Sequence, residues 1–167
     1  MEMTSLRFIY CVLCIALPWL NPVTIGPTAS VIPILFSWMC AAGLVMAWQA
    51  TADQGRNNNA LAGTASLAWL IAAVLSSAMG LIQYFGATAP FDGWVNQPAL
   101  GEAYANLRQR NQFATLTSIG LAALLWWFMQ ASKRIEGVPL LLAILAAALL
   151  GLGNAASSSR TGMVQVA

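Results

Sequence analysis

Apolar residues run in five long stretches along the chain, at 6–25, 30–48, 60–85, 112–130 and 138–156, and polar turn-formers separate them. A helix needs about 20 mostly apolar residues to cross the hydrocarbon core. In lipid, every backbone polar group must find its partner within the protein, so such runs predict helices rather than open strands. The pattern reads as all-α: a polytopic integral membrane protein with five transmembrane helices and the start of a sixth in the C-terminal MVQVA. Arg7 followed by an apolar run has the outline of a signal peptide, but no small-x-small cleavage site follows. The run reads instead as an uncleaved first span, disturbed at Pro18.

The connectors TADQGRNNN (51–59) and SKRIEG (132–137) are short, whereas the loop 86–112 is much longer. Long loops in compact proteins are often functional. Residues 1–167 are expected to form one transmembrane unit. With a cytoplasmic N-terminus, five spans put Arg7, Arg56, Lys133 and Arg134 inside and Arg108, Arg110 and Arg160 outside. That small excess follows the positive-inside direction. Whatever the orientation, the 86–112 loop and the Arg160 tail share one side. In the third run, Thr64, Ala68, Ala72, Ser76 and Gly80 recur every fourth position, a small-residue face that lets membrane helices approach closely.

Composition sharpens this picture. Hydrophobic residues make up 59% of the chain and charged residues 7%, against roughly 25% charged in soluble domains. The net charge of +2 gives no ground for a nucleic-acid partner. Histidine is absent, which removes the commonest general base and metal ligand. Cys11 and Cys14 form a CxxC and Cys40 stands alone. Without a second pair or a histidine to complete a zinc set, they read as small apolar helix residues, and no metal site is expected.

The candidate chemistry lies in NLRQRNQFAT (106–115) and NAASSSRTG (154–162). If a helix starts near the first, Arg108, Asn111, Gln112 and Thr115 share a face at helical spacing. Free N–H groups and the dipole at a helix N-terminus favour an anion, and a guanidinium adds bidentate donors for phosphate. Arg110 adds a second cation. In the second stretch, Ser157, Ser158 and Ser159 are good N-caps for a new helix near Arg160. Two such sites on one face of the membrane suit a diphosphate. The plainer use of each arginine is to anchor a helix by reaching lipid phosphates. Asp92, Trp94, Glu102 and Tyr104 in the long loop are the carboxylates and aromatics that a sugar site uses, and equally ordinary loop packing. Glu102 and Asp92 are weak candidates for a base.

NLRQRNQFATL, followed by an apolar span and then SSSRTG, resembles the O-antigen ligase superfamily and within it the protein O-oligosaccharyltransferases, which include pilin glycosylation ligases. LPWLNP (17–22) is similar to the same branch. The family pattern has proline where Arg110 stands. The resemblance implies a bacterial inner-membrane enzyme with the 86–112 loop periplasmic. It moves an oligosaccharide from an undecaprenyl diphosphate carrier to a hydroxyl on an acceptor protein such as a pilin, or on lipid A core, without a cofactor. Arg108 and Arg160 match the family's motif arginines. Asn111, Gln112 and Ser159 lie beside them in the same motifs. The family also has further spans and a later periplasmic loop bearing a histidine, so this chain is expected to be the N-terminal part of a larger ligase. A glycan polymerase shares most of these features. A transporter component and a non-catalytic membrane subunit are the rivals. The first is disfavoured because the charges lie at span ends or in loops. The second leaves both arginine motifs unexplained.

Overall fold

Lipid offers no partner to a backbone amide, and the apolar runs accordingly close their hydrogen bonds as helices. The computed structural model describes residues 5–22, 31–49, 58–107, 109–130 and 137–158. Within them lie α1 (Ser5–Leu20), α2 (Ile32–Gln49), α3 (Asn58–Tyr84), a short 3-10 helix (Ala89–Phe91), α4 (Arg110–Gln130) and α5 (Val138–Ala156). No strand occurs among the described residues. The chain is an all-helical, polytopic membrane protein in which α2 to α5 are each long and apolar enough to cross a bilayer.

The first span departs from expectation. Instead of reaching residue 25, α1 has 16 residues and stops at Leu20. That is roughly 24 Å of helix, short of the roughly 30 Å core. Asn21 takes a left-handed φ of 45°, and its N–H closes back on the Leu17 carbonyl at 2.9 Å. This is an asparagine C-cap, with Pro22 just beyond it to prevent a further turn. Pro18 sits inside the helix without ending it.

Helix α3 is central, packed against α1, α4 and α5, while α2 packs on α1. The small-residue face explains how. Thr64, Ala68, Ala72, Ser76 and Gly80 are all buried. A Cβ on Gly80 would come within 2.6 Å of the Phe113 ring, so that ring fills the space a side chain would need. A Cβ on Gly120 of α4 would lie 2.4 Å from the Cβ of Ala73, and one on Gly153 of α5 would lie 2.9 Å from the Cβ of Ser77. Close backbone approach of this kind supplies the dispersion contacts that hold helices together in lipid. Hydroxyls on the same helix fold back onto it: Thr64 donates to the Ala60 carbonyl at 2.8 Å and Ser66 to Ala62 at 2.7 Å. Ser76 and Ser77 are buried without a hydrogen-bond partner among the described residues. Outward-facing side chains such as Leu35, Met39 and Met46 on α2 and Leu142 and Ile144 on α5 are large and apolar, as a lipid-facing surface requires.

The alternating helix directions bring the end of α1, the start of α2, the long loop, the start of α4 and the end of α5 to one end of the bundle. There Ser157 differs from expectation, while Ser159 and the helix start expected near Arg160 lie outside the described residues. Ser157 is not an N-cap but the C-cap of α5, its hydroxyl donating to the Asn154 carbonyl at 2.6 Å, and Ser158 turns left-handed at φ 51°. The reason is tertiary: the Asn154 amide donates to the Thr117 hydroxyl of α4 at 2.8 Å, which locks the last turn of α5 in place.

Substituting Gly120→Val should lower the melting temperature in detergent, because overpacking a tight interface costs about 1–3 kcal/mol. Gly151→Ala, whose added Cβ meets nothing within 4 Å, should leave it unchanged or raise it.

Candidate functional site

A cavity of about 880 Å³ opens at the loop end, between α1, α2 and the start of α4. Pro18 and Trp19 of α1, Pro33, Ile34 and Trp38 of α2, and Leu107 of the loop give it apolar walls. Asn111, Gln112 and Thr115, from the first turns of α4, give it one polar wall, and Asn21 and Ser37 add two more polar groups. The three α4 residues are those expected to share a face. The helix begins at Arg110, so its positive dipole end lies beside this polar wall. An apolar chamber with a few convergent amides and a hydroxyl is the ordinary composition of a ligand site.

The loop that borders the cavity is built around one amide. Gln83, in the last turn of α3, is 1% exposed. Its Nε2 donates to the carbonyls of Asn96 (2.9 Å) and Ala105 (2.8 Å), and its Oε1 accepts from the backbone N–H of Tyr104 (3.1 Å) and Ala105 (2.7 Å). All four hydrogen-bonding positions of the side chain are used. Ala105 has both its N–H and its C=O on Gln83, which holds it in a left-handed conformation, φ 52°, that a residue with a Cβ otherwise resists. Asn106 continues the network. Its Oδ1 accepts from the Asn96 N–H at 3.0 Å, its Nδ2 donates to the Trp94 carbonyl at 2.8 Å, and its own carbonyl accepts from Asn21 at 3.0 Å. The last bond ties the loop to the exit of α1. Ala103, Ala105 and Leu107 alternate into the core in the process. Sequence reasoning passed over Gln83, Asn96, Asn106 and Asn21. The signal was there in Gln83, an uncharged polar residue in the last turn of an apolar run, where an amide needs a partner.

The expected charged residues are only partly brought together. The Arg110 guanidinium forms an ion pair with the Glu102 carboxylate, both half-exposed. Arg110 is therefore committed to a loop carboxylate, and Glu102 to a cation. Tyr104 packs beside them. Partial burial and the Glu102 charge push its phenol above the ordinary value, with Arg110 opposing. Asp92 lies elsewhere on the loop, accepting from the Gly93 N–H at 3.0 Å and from the Gln97 amide at 2.8 Å. Neither carboxylate lines the cavity. Trp94 is exposed. Arg108, Ser159 and Arg160 lie outside the described residues, as do Lys133 and Arg134. Among the described residues no three of His, Cys, Asp and Glu gather into a metal site. Cys14 instead packs with the Tyr10 hydroxyl over Gly43 of α2.

A family model described as protein glycosylation ligase matches residues 103–128. No curated protein and no solved structure matches the chain. The matched segment runs from the pinned end of the loop through most of α4. It contains Arg108, Arg110, Asn111 and Gln112, while Asp92, Glu102, Ser159 and Arg160 fall outside it. It supports a glycosyl-transfer ligase role in general and fits the O-oligosaccharyltransferase branch.

Gln83→Leu should remove the Gln83 partner of two N–H and two C=O groups, at about 1 kcal/mol or more for each that neither another group nor water recovers. Limited proteolysis should then cut within the loop faster than in the parent protein. The Arg110–Glu102 pair, being partly exposed, should show a coupling below about 1 kcal/mol in a double-mutant cycle of Arg110→Gln and Glu102→Gln, read from thermal unfolding.

Proposed function

We propose that this chain contributes the donor-binding part of a membrane glycosyltransferase, a ligase that moves an oligosaccharide from an undecaprenyl diphosphate carrier to a hydroxyl of an acceptor protein. A pilin-like acceptor is the first expectation and lipid A core the second. One observation carries the reading: the polar wall of the cavity, Asn111, Gln112 and Thr115, falls inside the segment that matches protein glycosylation ligases. A lipid-linked donor needs an apolar chamber and an anion site at the same membrane depth. The α1–α2 walls and the start of α4 supply that combination.

In this reading the acceptor oxygen attacks the anomeric carbon of the glycan. The bond from that carbon to the diphosphate oxygen breaks, and the diphosphate leaves with the electron pair. Arg108 and Arg160 stabilise the charge that develops on it, the role that preorganised cations serve best. Asn111 and Gln112 orient the diphosphate from the first turn of α4, with Ser159 beside Arg160. Arg110, held by Glu102, shapes the rim. The acceptor proton goes to a base. Glu102 and Asp92 are the carboxylates nearest in sequence, but Glu102 would first have to leave Arg110. The resemblance places that base on a histidine, which residues 1–167 do not contain. The proposed setting is the bacterial inner membrane, with the N-terminus cytoplasmic and the 86–112 loop periplasmic.

Arg108→Ala and Arg160→Ala should each abolish glycan transfer to the acceptor in cells while the protein still inserts. Gln112→Leu should raise the KM for the donor about 10-fold or more, since a hydrogen bond to a charged group contributes about 1.5–3 kcal/mol. Unchanged transfer in both arginine variants would instead identify a non-catalytic membrane subunit.

A further inference from the structure

The long loop turns several large apolar side chains outward. Gln83 at the end of α3 and Asn96 and Asn106 of the loop are buried, with Val95 and Leu107, while Gln97 is exposed. Phe85 is 72% exposed, Trp94 76% and Leu100 79%, with Phe91 also exposed. Water disfavours that arrangement, because burial of apolar surface is what drives folding there. An environment that is apolar on one side and polar on the other favours it, which is why tryptophan and other aromatics gather at the membrane–water boundary.

Three further observations point the same way. The loop has few carboxylates, and each has a partner. Between residues 85 and 107 the ionisable carboxylates are Asp92 and Glu102; the first is held by Gly93 and Gln97, and the second is neutralised by Arg110. Part of its backbone is also paired internally. Ala87 donates to Ile82, Phe91 to Thr88, Trp94 and Val95 to Phe91, and Glu102 to Ala99. Such pairing lowers the cost of leaving water. The outward apolar residues are also continuous with a span. Phe85 follows the last residue of α3, and its ring stacks edge-on against Tyr84 at 5.4 Å. The Gly101 N–H donates to the Tyr84 carbonyl at 3.2 Å, and Leu100 lies over Gly86, which brings the far side of the loop back onto the end of the helix.

We propose that the outer face of this loop, formed by Phe85, Phe91, Trp94 and Leu100, lies in the interfacial layer of the bilayer and contacts phospholipid at the headgroup–acyl boundary. The loop then does not project into water, and the rim of the cavity is held at the depth of the lipid phosphates. The proposal concerns depth alone and does not rest on glycosyl transfer.

The test is made on the full-length protein in vesicles of phosphatidylethanolamine and phosphatidylglycerol. In a background of Cys11→Ala, Cys14→Ala and Cys40→Ala, a spin label is placed at Trp94→Cys or Leu100→Cys. Collisions with oxygen, which partitions into lipid, should exceed those with a water-soluble nickel chelate. A label reached freely by nickel would mean that the patch faces water and is open to a glycan or an acceptor, which overturns the proposal. A label reached by neither would mean that protein covers the patch, and also overturns it. A second measurement avoids the cysteines. Phospholipids brominated near the headgroup should quench less of the total tryptophan emission in Trp94→Phe than in the parent with its seven tryptophans. An equal loss in the two proteins would overturn the proposal.

Discussion

The amide of Gln83 is the point on which the loop end of the molecule depends. A loop of more than twenty residues between two membrane helices has many backbone groups to satisfy, and an orphaned buried one costs about as much as a lost hydrogen bond. Gln83 answers four of them from a single side chain at the end of a rigid helix. Ala105 can then hold its left-handed turn, Leu107 can enter the cavity wall, and α4 can begin at Arg110.

The small residues of α3 settle the rest of the placement. Phe113, three residues into α4, packs where Gly80 leaves room, only one turn before Gln83 on the same helix. The clasp on the loop and the seat for Phe113 therefore act at one end of α3. Together they set both the position and the rotation of the first turns of α4, and so which of its side chains face the cavity. Asn154 braces α4 from the other side through Thr117.

Among the described residues, charge is used sparingly at this end of the molecule. Arg110, which by position alone looks available to an anion, is neutralised by Glu102. Among the described residues, the cavity meets a ligand with amides, hydroxyls and the start of a helix rather than with a naked cation. Uncharged donors of this kind need not be stripped of a tight hydration shell, an advantage next to lipid, where desolvating an ion is costly. On the loop the Glu102 carboxylate is paired with Arg110, and the exposed Asp92 carboxylate is hydrogen-bonded to Gly93 and Gln97.

The five helices were legible in the sequence, and so was the buried stripe from Thr64 to Gly80, because both follow from local rules. Lipid forces each apolar run to satisfy its own backbone, and a period of four puts small residues on one face wherever the helix goes. The grouping of Asn111, Gln112 and Thr115 was legible for the same reason. What the local pattern left open was which distant group each polar side chain would meet. Asn21 bonds a carbonyl 85 residues away, Gln83 one 22 residues away, and Arg110 a carboxylate across the loop. Ser157 has the propensity of a helix start, yet it closes a helix, because Asn154 had already been fixed by α4. Hydrogen-bond partners across a loop are chosen by three-dimensional proximity, which no periodicity encodes. The helices thus belong to the sequence alone, and the cavity, the clasp and the neutralised arginine belong to the packing.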